Sequence, residues 1–198
     1  MHKHEVIDTH SIIANIINTT LYSQYEIIAK EGTHSKRVSE LCKTAGVALE
    51  LPEIETNKLR ISGLFHDIGK NAIDERVLNK SGPLTVQEWN EIKRHPEIGY
   101  RILCSSPEMT EIAQYVLYHH ERFDGSGYPR GLKQEEIPFL SRVISVADSY
   151  DAMTNQRSYK QTLNKRMAVK ELLKNKGEQF DPNIVDVFIE KVLNNIDT

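Results

Sequence analysis

Five internal histidines, His34, His66, His95, His119 and His120, and two aspartates, Asp67 and Asp148, are the residues of this sequence best suited to chemistry. His66 is followed at once by Asp67 in LFHDIGK, where an apolar run ends, so the pair is expected to face into or across a core. Asp148 follows Ile144, Val146 and Ala147 in ISVADSYDAMT and is expected to be buried too. A buried carboxylate costs several kcal/mol unless it is paired or bound to metal. A lone histidine in such a setting is most simply a core residue or a helix cap. The set reads differently, because each of the five stands at an expected helix end or beside a carboxylate. Neutral imidazole and carboxylate together make a mixed nitrogen and oxygen site that suits Fe, Mn, Zn or Ni. Seven candidates exceed the about four to six ligands of one such ion. A shared aspartate can bridge two ions, and two ions roughly 3.5–4 Å apart suit in-line phosphoryl chemistry.

Helices must position these groups, since helical signals dominate the chain. Val6, Ile12, Ile13, Ile16, Ile17, Leu21 and Ile28 form a near-helical stripe over residues 5–30. Val38, Leu41, Cys42 and Ala45 mark a helix over 34–49, and Leu59, Leu64, Phe65 and Ile68 mark another. Thr85 to Glu88, TVQE, is a capping box. HPEIGYRIL starts a helix with Pro96 in its first turn, and SPEMTEIAQYVLYHH starts one with Ser106 as cap and Pro107 leading. A loop over 123–136 follows, then a helix from Pro138 to about Asn155, and DPNIVDVFIEKVL closes the chain with Asp181 as cap. No alternating pattern indicates a strand. The expected fold is all-α: a bundle of about eight helices, with residues 1–30 as an extension or linker helix and 31–198 as the working domain. The adjacent His119 and His120 lead into a glycine-bearing loop, which would form the rim of the site. Trp89 is expected in the core, and Asp124 is expected to order its own loop through an Asx-type bond.

Bulk composition narrows the partners. The 198 residues are 39% hydrophobic and 27% charged, a globular balance, and the net charge of −3 argues against a nucleic-acid polymer or an anionic membrane surface. No apolar run approaches the roughly 20 residues that span a bilayer, and the N-terminus lacks the apolar centre of a secretory signal, so a cytoplasmic location is the expectation. Cys42 and Cys104, far apart and outside any metal-finger spacing, are expected to be reduced.

The motifs HDIGK, HPEIG, HHERFDGSGYP, VADSYDAMT and RSYK occur in this order. Together they resemble the HD-GYP branch of the HD phosphohydrolase superfamily over about residues 30 to 190. The resemblance implies a metal-dependent phosphodiesterase that opens cyclic di-GMP to linear pGpG, a reaction that family members often continue to GMP, through a hydroxide bridging two divalent ions, by resemblance Fe or Mn. It implies one ion held by His34, His66, Asp67 and Asp148, and a second by Asp67, His95, His119 and His120. Lys70 would touch the scissile phosphate, and Arg157 and Lys160 would clamp the substrate phosphates. Members with three metals carry a glutamate one turn before the first histidine. Lys30 stands there, with Glu31 beside it, and an ammonium cannot ligate a cation, so two metals are expected. Two other readings stay open: a phosphodiesterase for another cyclic dinucleotide such as cyclic GMP-AMP, and a non-catalytic module that senses the dinucleotide or docks on a GGDEF-type cyclase through the GYP loop. The Ile-rich face of residues 6–28 suits a homodimer contact and core packing equally.

Overall fold

The computed structural model describes residues 31–155 and 162–195. The expected helical stripe over 5–30, and Lys30, Arg157 and Lys160, lie outside the described residues. Two compact units divide the chain, Met1–His34 and Ser35–Thr198.

The described elements are helical, as the apolar spacing predicts. They include α1 (Glu31–Ala48), α2 (Glu53–Phe65), a 3-10 turn (Ile68–Ala72), α3 (Glu75–Leu78), α4 (Val86–Ile92), α5 (His95–Leu103), α6 (Thr110–Leu117), α7 (Phe139–Thr154), α8 (Lys165–Lys174) and α9 (Pro182–Val187). No strand is present among the described residues; Lys176 and Phe180 form an isolated bridge. Helix α7 is central. Leu140, Val143, Ile144, Ala147 and Tyr150 recur at helical spacing and are buried against Val38, Cys42 and Ala45 of α1, Leu59 of α2, Ala168 and Leu172 of α8, and Ile184 and Val185 of α9. Asp151, on the same face, is buried and takes a bidentate ion pair from Arg37 at 2.6 and 2.9 Å. Burial of that carboxylate is tolerable because the planar guanidinium satisfies both of its oxygens.

Caps set several boundaries. The Thr85 hydroxyl accepts from Glu88 N while Glu88 accepts from Thr85 N, so the capping box forms as expected. Asp181 accepts from the amides of Asn183 and Ile184 at the start of α9. Two expectations need correction. Ser106 does not cap α6: its hydroxyl donates to Glu108, Pro107–Met109 form a 3-10 turn, and the helix begins at Thr110. Trp89 is not core, because α4 turns it outward and leaves it 45% exposed. Cys42 is buried, Cys104 is half-buried, and neither forms a disulfide.

Candidate metal centre

Every histidine that follows a helix or opens one here does so at a point where the backbone can hold its ring. His66 caps the C-terminus of α2, His95 opens α5, and His119 lies just past the end of α6. In each, Nδ1 meets the carbonyl three residues earlier: Gly63 at 2.7 Å, Ile92 at 2.8 Å and Val116 at 2.6 Å. A carbonyl can only accept, so all three rings carry the Nδ1 proton and turn Nε2 towards the interior. The backbone thereby fixes tautomer and ring orientation together, as it does around metal-ligating imidazoles.

These three rings and that of His120 cluster, with His119 next to each of the others. His66 and His119 stand 5.3 Å apart by ring centroid, His95 and His119 5.4 Å, His95 and His120 4.9 Å, and His119 and His120 3.9 Å. Asp67 divides its carboxylate between them: Oδ2 lies 3.3 Å from His66 Nε2, and Oδ1 lies 3.3 Å from His95 Nε2. Asp148 Oδ1 lies 3.6 Å from His66 Nε2. Asp148 is half-buried rather than buried, at 15% exposure, because it sits about 100° round α7 from the core-facing Ala147. Potential ligand atoms of Asp67, His95, His119 and His120 all lie within 4.8 Å of one another. His34 stands in the first turn of α1, half-buried, and belongs to the first compact unit. Lys70, on the 3-10 turn, places its ammonium 2.6 Å from Asp67 Oδ2.

The electrostatics fit a cation among these atoms. Burial depresses the pKa of His95, drives that of His119 well down with help from the neighbouring imidazoles, and brings that of His120 to about 3. Three of the rings are therefore neutral and able to donate a lone pair. Burial opposes charge on His66 also, but Asp67 and Asp148 outweigh it and lift its pKa to about 10. That proton would give way on metal binding, since an imidazole must be neutral to ligate. Burial pushes the Asp67 carboxyl the other way, yet Lys70 and His66 hold it well below the usual range. The buried Nε2 atoms of His95 and His119 have no hydrogen-bond partner among the described residues. Orphaned buried acceptors are costly. Aimed at one carboxylate, they are what a divalent ion would satisfy, so the residues present fit a metal.

The GYP loop is anchored by a group the sequence reading missed. Glu121 is buried, with no Lys or Arg in ion-pair range among the described residues. Its carboxylate accepts from the amides of Arg130, Gly131 and Leu132 at 2.6, 3.1 and 3.1 Å. The readable signal was an acid at the mouth of a glycine-bearing loop, where successive amides can surround an anion. Gly127 has to be glycine: a Cβ there would fall 2.3 Å from Arg122 N and 2.6 Å from Glu121 Cα. The Asx bond of Asp124 forms as expected, with Ser126 N donating to Oδ1 at 2.8 Å. These contacts place the Tyr128 ring 5.0 Å from that of His120. Glu121→Ala is expected to cost about 3 kcal/mol, since three amides lose a charged acceptor, and Glu121→Gln less, since one oxygen remains. Thermal unfolding, with hydrogen exchange at Arg130–Leu132, checks both.

Known proteins resemble this chain in sequence and in fold. A profile of the HD domain matches residues 21–184. A cyclic di-GMP phosphodiesterase of Thermotoga maritima is 39% identical over 159 residues, covering 79% of this chain and 43% of that protein. A 3'3'-cGAMP-specific phosphodiesterase of Vibrio cholerae is 35% identical over 161 residues, covering 80% of this chain and 31% of that protein. The chain thus spans less than half the length of these curated relatives. A solved HDG"Y"P protein from Bdellovibrio bacteriovorus shares the fold, with a TM-score of 0.64, 19% identity, and coverage of 79% of this chain and 50% of that one. The chain belongs to the HD domain family, and its HHERFDGSGYP segment places it in the HD-GYP branch.

Proposed function

We propose that this chain is the catalytic part of a metal-dependent phosphodiesterase that hydrolyses cyclic di-GMP to linear pGpG. The observation that carries the reading is the convergence of buried imidazole nitrogens on the two oxygens of Asp67. That division supports two ions, with Asp67 shared. His95, His119 and His120 would complete the set on one side, and His66, Asp148 and His34 on the other. Bound divalent ions supply charge to the phosphate and lower the pKa of water.

The chain's own residues bind and orient. Lys70 would hold a non-bridging phosphate oxygen, its ammonium kept in place by Asp67. Arg157 and Lys160 would clamp the substrate phosphates as bidentate and point cations. Tyr128 and the loop fixed by Glu121 would close the rim beside His120. Residues 1–30 would form an extension that transmits input or pairs two copies, and the GYP loop would be the surface offered to a GGDEF-type cyclase. No helix among the described residues is long and apolar enough to cross a membrane; a cytoplasmic site of action is part of this proposal. The relationship to a 3'3'-cGAMP-specific enzyme favours one second reading, in which the mixed dinucleotide is the substrate.

The test is an anaerobic assay of the full chain loaded with Fe(II) or Mn(II), against cyclic di-GMP and 3'3'-cGAMP, with products separated by chromatography and metal counted by elemental analysis. Two metals per chain and faster turnover of cyclic di-GMP are expected. Faster turnover of cGAMP would install the second reading, and no turnover of either would overturn both.

A further inference from the structure

Trp89 and Lys93 are one helical turn apart where α4 meets the loop. Lys93 Nζ lies 5.7 Å from the centroid of the Trp89 ring and 5.8 Å from that of Tyr128. The first contact is an ordinary one between residues four apart on a helix. The second is not, because Tyr128 belongs to the GYP loop and stacks on His120. A run of contacts, each under 6 Å, therefore leads from the histidine cluster through Tyr128 and Lys93 to an exposed indole. Lys93 forms no ion pair among the described residues. Lys70, Lys58 and Lys80, by contrast, each sit on a carboxylate. Helix α4 is held for such a role by the capping box at its start and by Lys80, which grips Glu88 at 2.6 Å.

An ammonium between two aromatic rings, with no ion-pair partner among the described residues and beside a centre suited to phosphodiester chemistry, has the right chemistry for a nucleotide. Cations of this kind take phosphate oxygens, and an exposed indole offers a face on which a purine stacks. We propose that Trp89 and Lys93 form a base-and-phosphate subsite of the substrate cleft: one guanine of the cyclic dinucleotide stacks on Trp89, and Lys93 holds the phosphate next to it. This inference rests on the cyclic-dinucleotide reading above, and adds to it the place where substrate is gripped outside the metal ligands.

Trp89 is the single tryptophan of the chain, so its emission reports on the subsite alone. Cyclic di-GMP is mixed with the metal-loaded full chain by stopped flow, and emission is followed before turnover, with free GMP as an absorbance control. A saturable quench is expected. Lys93→Met should raise the half-quenching concentration about ten-fold, and Trp89→Ala should raise KM by a similar factor, with Trp89→Phe recovering much of the loss because a ring face remains. Both residues are partly or well exposed, so unchanged melting temperatures should accompany these effects. Hydrolysis of cyclic di-GMP without a quench, or a quench indifferent to Lys93→Met, would overturn the subsite and leave the proposed function standing. Absence of both quench and hydrolysis, with cyclic di-GMP and with 3'3'-cGAMP, would overturn the function and the subsite together.

Discussion

An Asp67→Asn chain is expected to keep its helices and lose its turnover by at least about 10³-fold, near 4 kcal/mol of transition-state stabilisation. The substitution is nearly isosteric, so the 3-10 turn that carries the residue has no steric reason to move. What changes is charge and donor pattern. Each carboxylate oxygen faces a different imidazole, at 3.3 Å in both cases. An amide turns one of them into a donor, with no lone pair to offer on that side. Lys70 also loses the negative partner at 2.6 Å that holds its ammonium towards the cluster. Elemental analysis should show the loaded metal falling from the two per chain proposed above to one or none, while the far-ultraviolet circular dichroism is unchanged. A variant that binds two metals and works within ten-fold of the parent would sink the assignment of Asp67 as the shared ligand.

The second large effect comes from a residue with no functional group. Gly69→Ala is expected to destabilise the fold by about 3 kcal/mol or more and to abolish metal loading. A Cβ at Gly69 would lie 2.0 Å from the His95 carbonyl oxygen and 2.6 Å from Gly99 N. Those atoms are backbone, so no side chain can turn aside, and α5 as a whole must back away from the 3-10 turn. The turn carries Asp67 at its start and α5 carries His95 at its start. The clash therefore opens the contact between Asp67 and His95 that the centre depends on. A paired substitution reads out the difference: a Cβ at Gly82 would meet no heavy atom within 4 Å, so that position should accept alanine with the metal content intact. Urea unfolding and metal analysis of the two variants, side by side, check this; a Gly69→Ala chain as stable and as metal-rich as Gly82→Ala would refute it.

Much of this protein was legible along the chain. Helical spacing of apolar residues gave the all-α class, and α7 shows why it worked: Leu140, Val143, Ile144 and Ala147 are buried together because a 3.6-residue period leaves them on one face. Local chemistry was also readable. The capping box at Thr85, the Asp181 cap and the Asx bond of Asp124 need only neighbours within three residues, and all three form. Residue type alone likewise nominated the imidazoles and carboxylates that cluster.

The tertiary structure decided what depends on groups distant in sequence. Nothing local says that Asp151 rather than Asp148 is the fully buried acid of its helix, because the answer lies in Arg37, 114 residues away. Trp89 looked like core on grounds of size and apolarity, yet a one-turn helix face settles its exposure, and α4 turned that face outward. Glu121 is one acid in a charged stretch along the chain, and folding brings three amides from nine to eleven residues on around it. The sequence determined which atoms could bind a cation, since that is a property of each side chain. Whether their lone pairs converge is a property of packed backbones, fixed here by carbonyls that orient the rings and by a glycine that lets two segments touch.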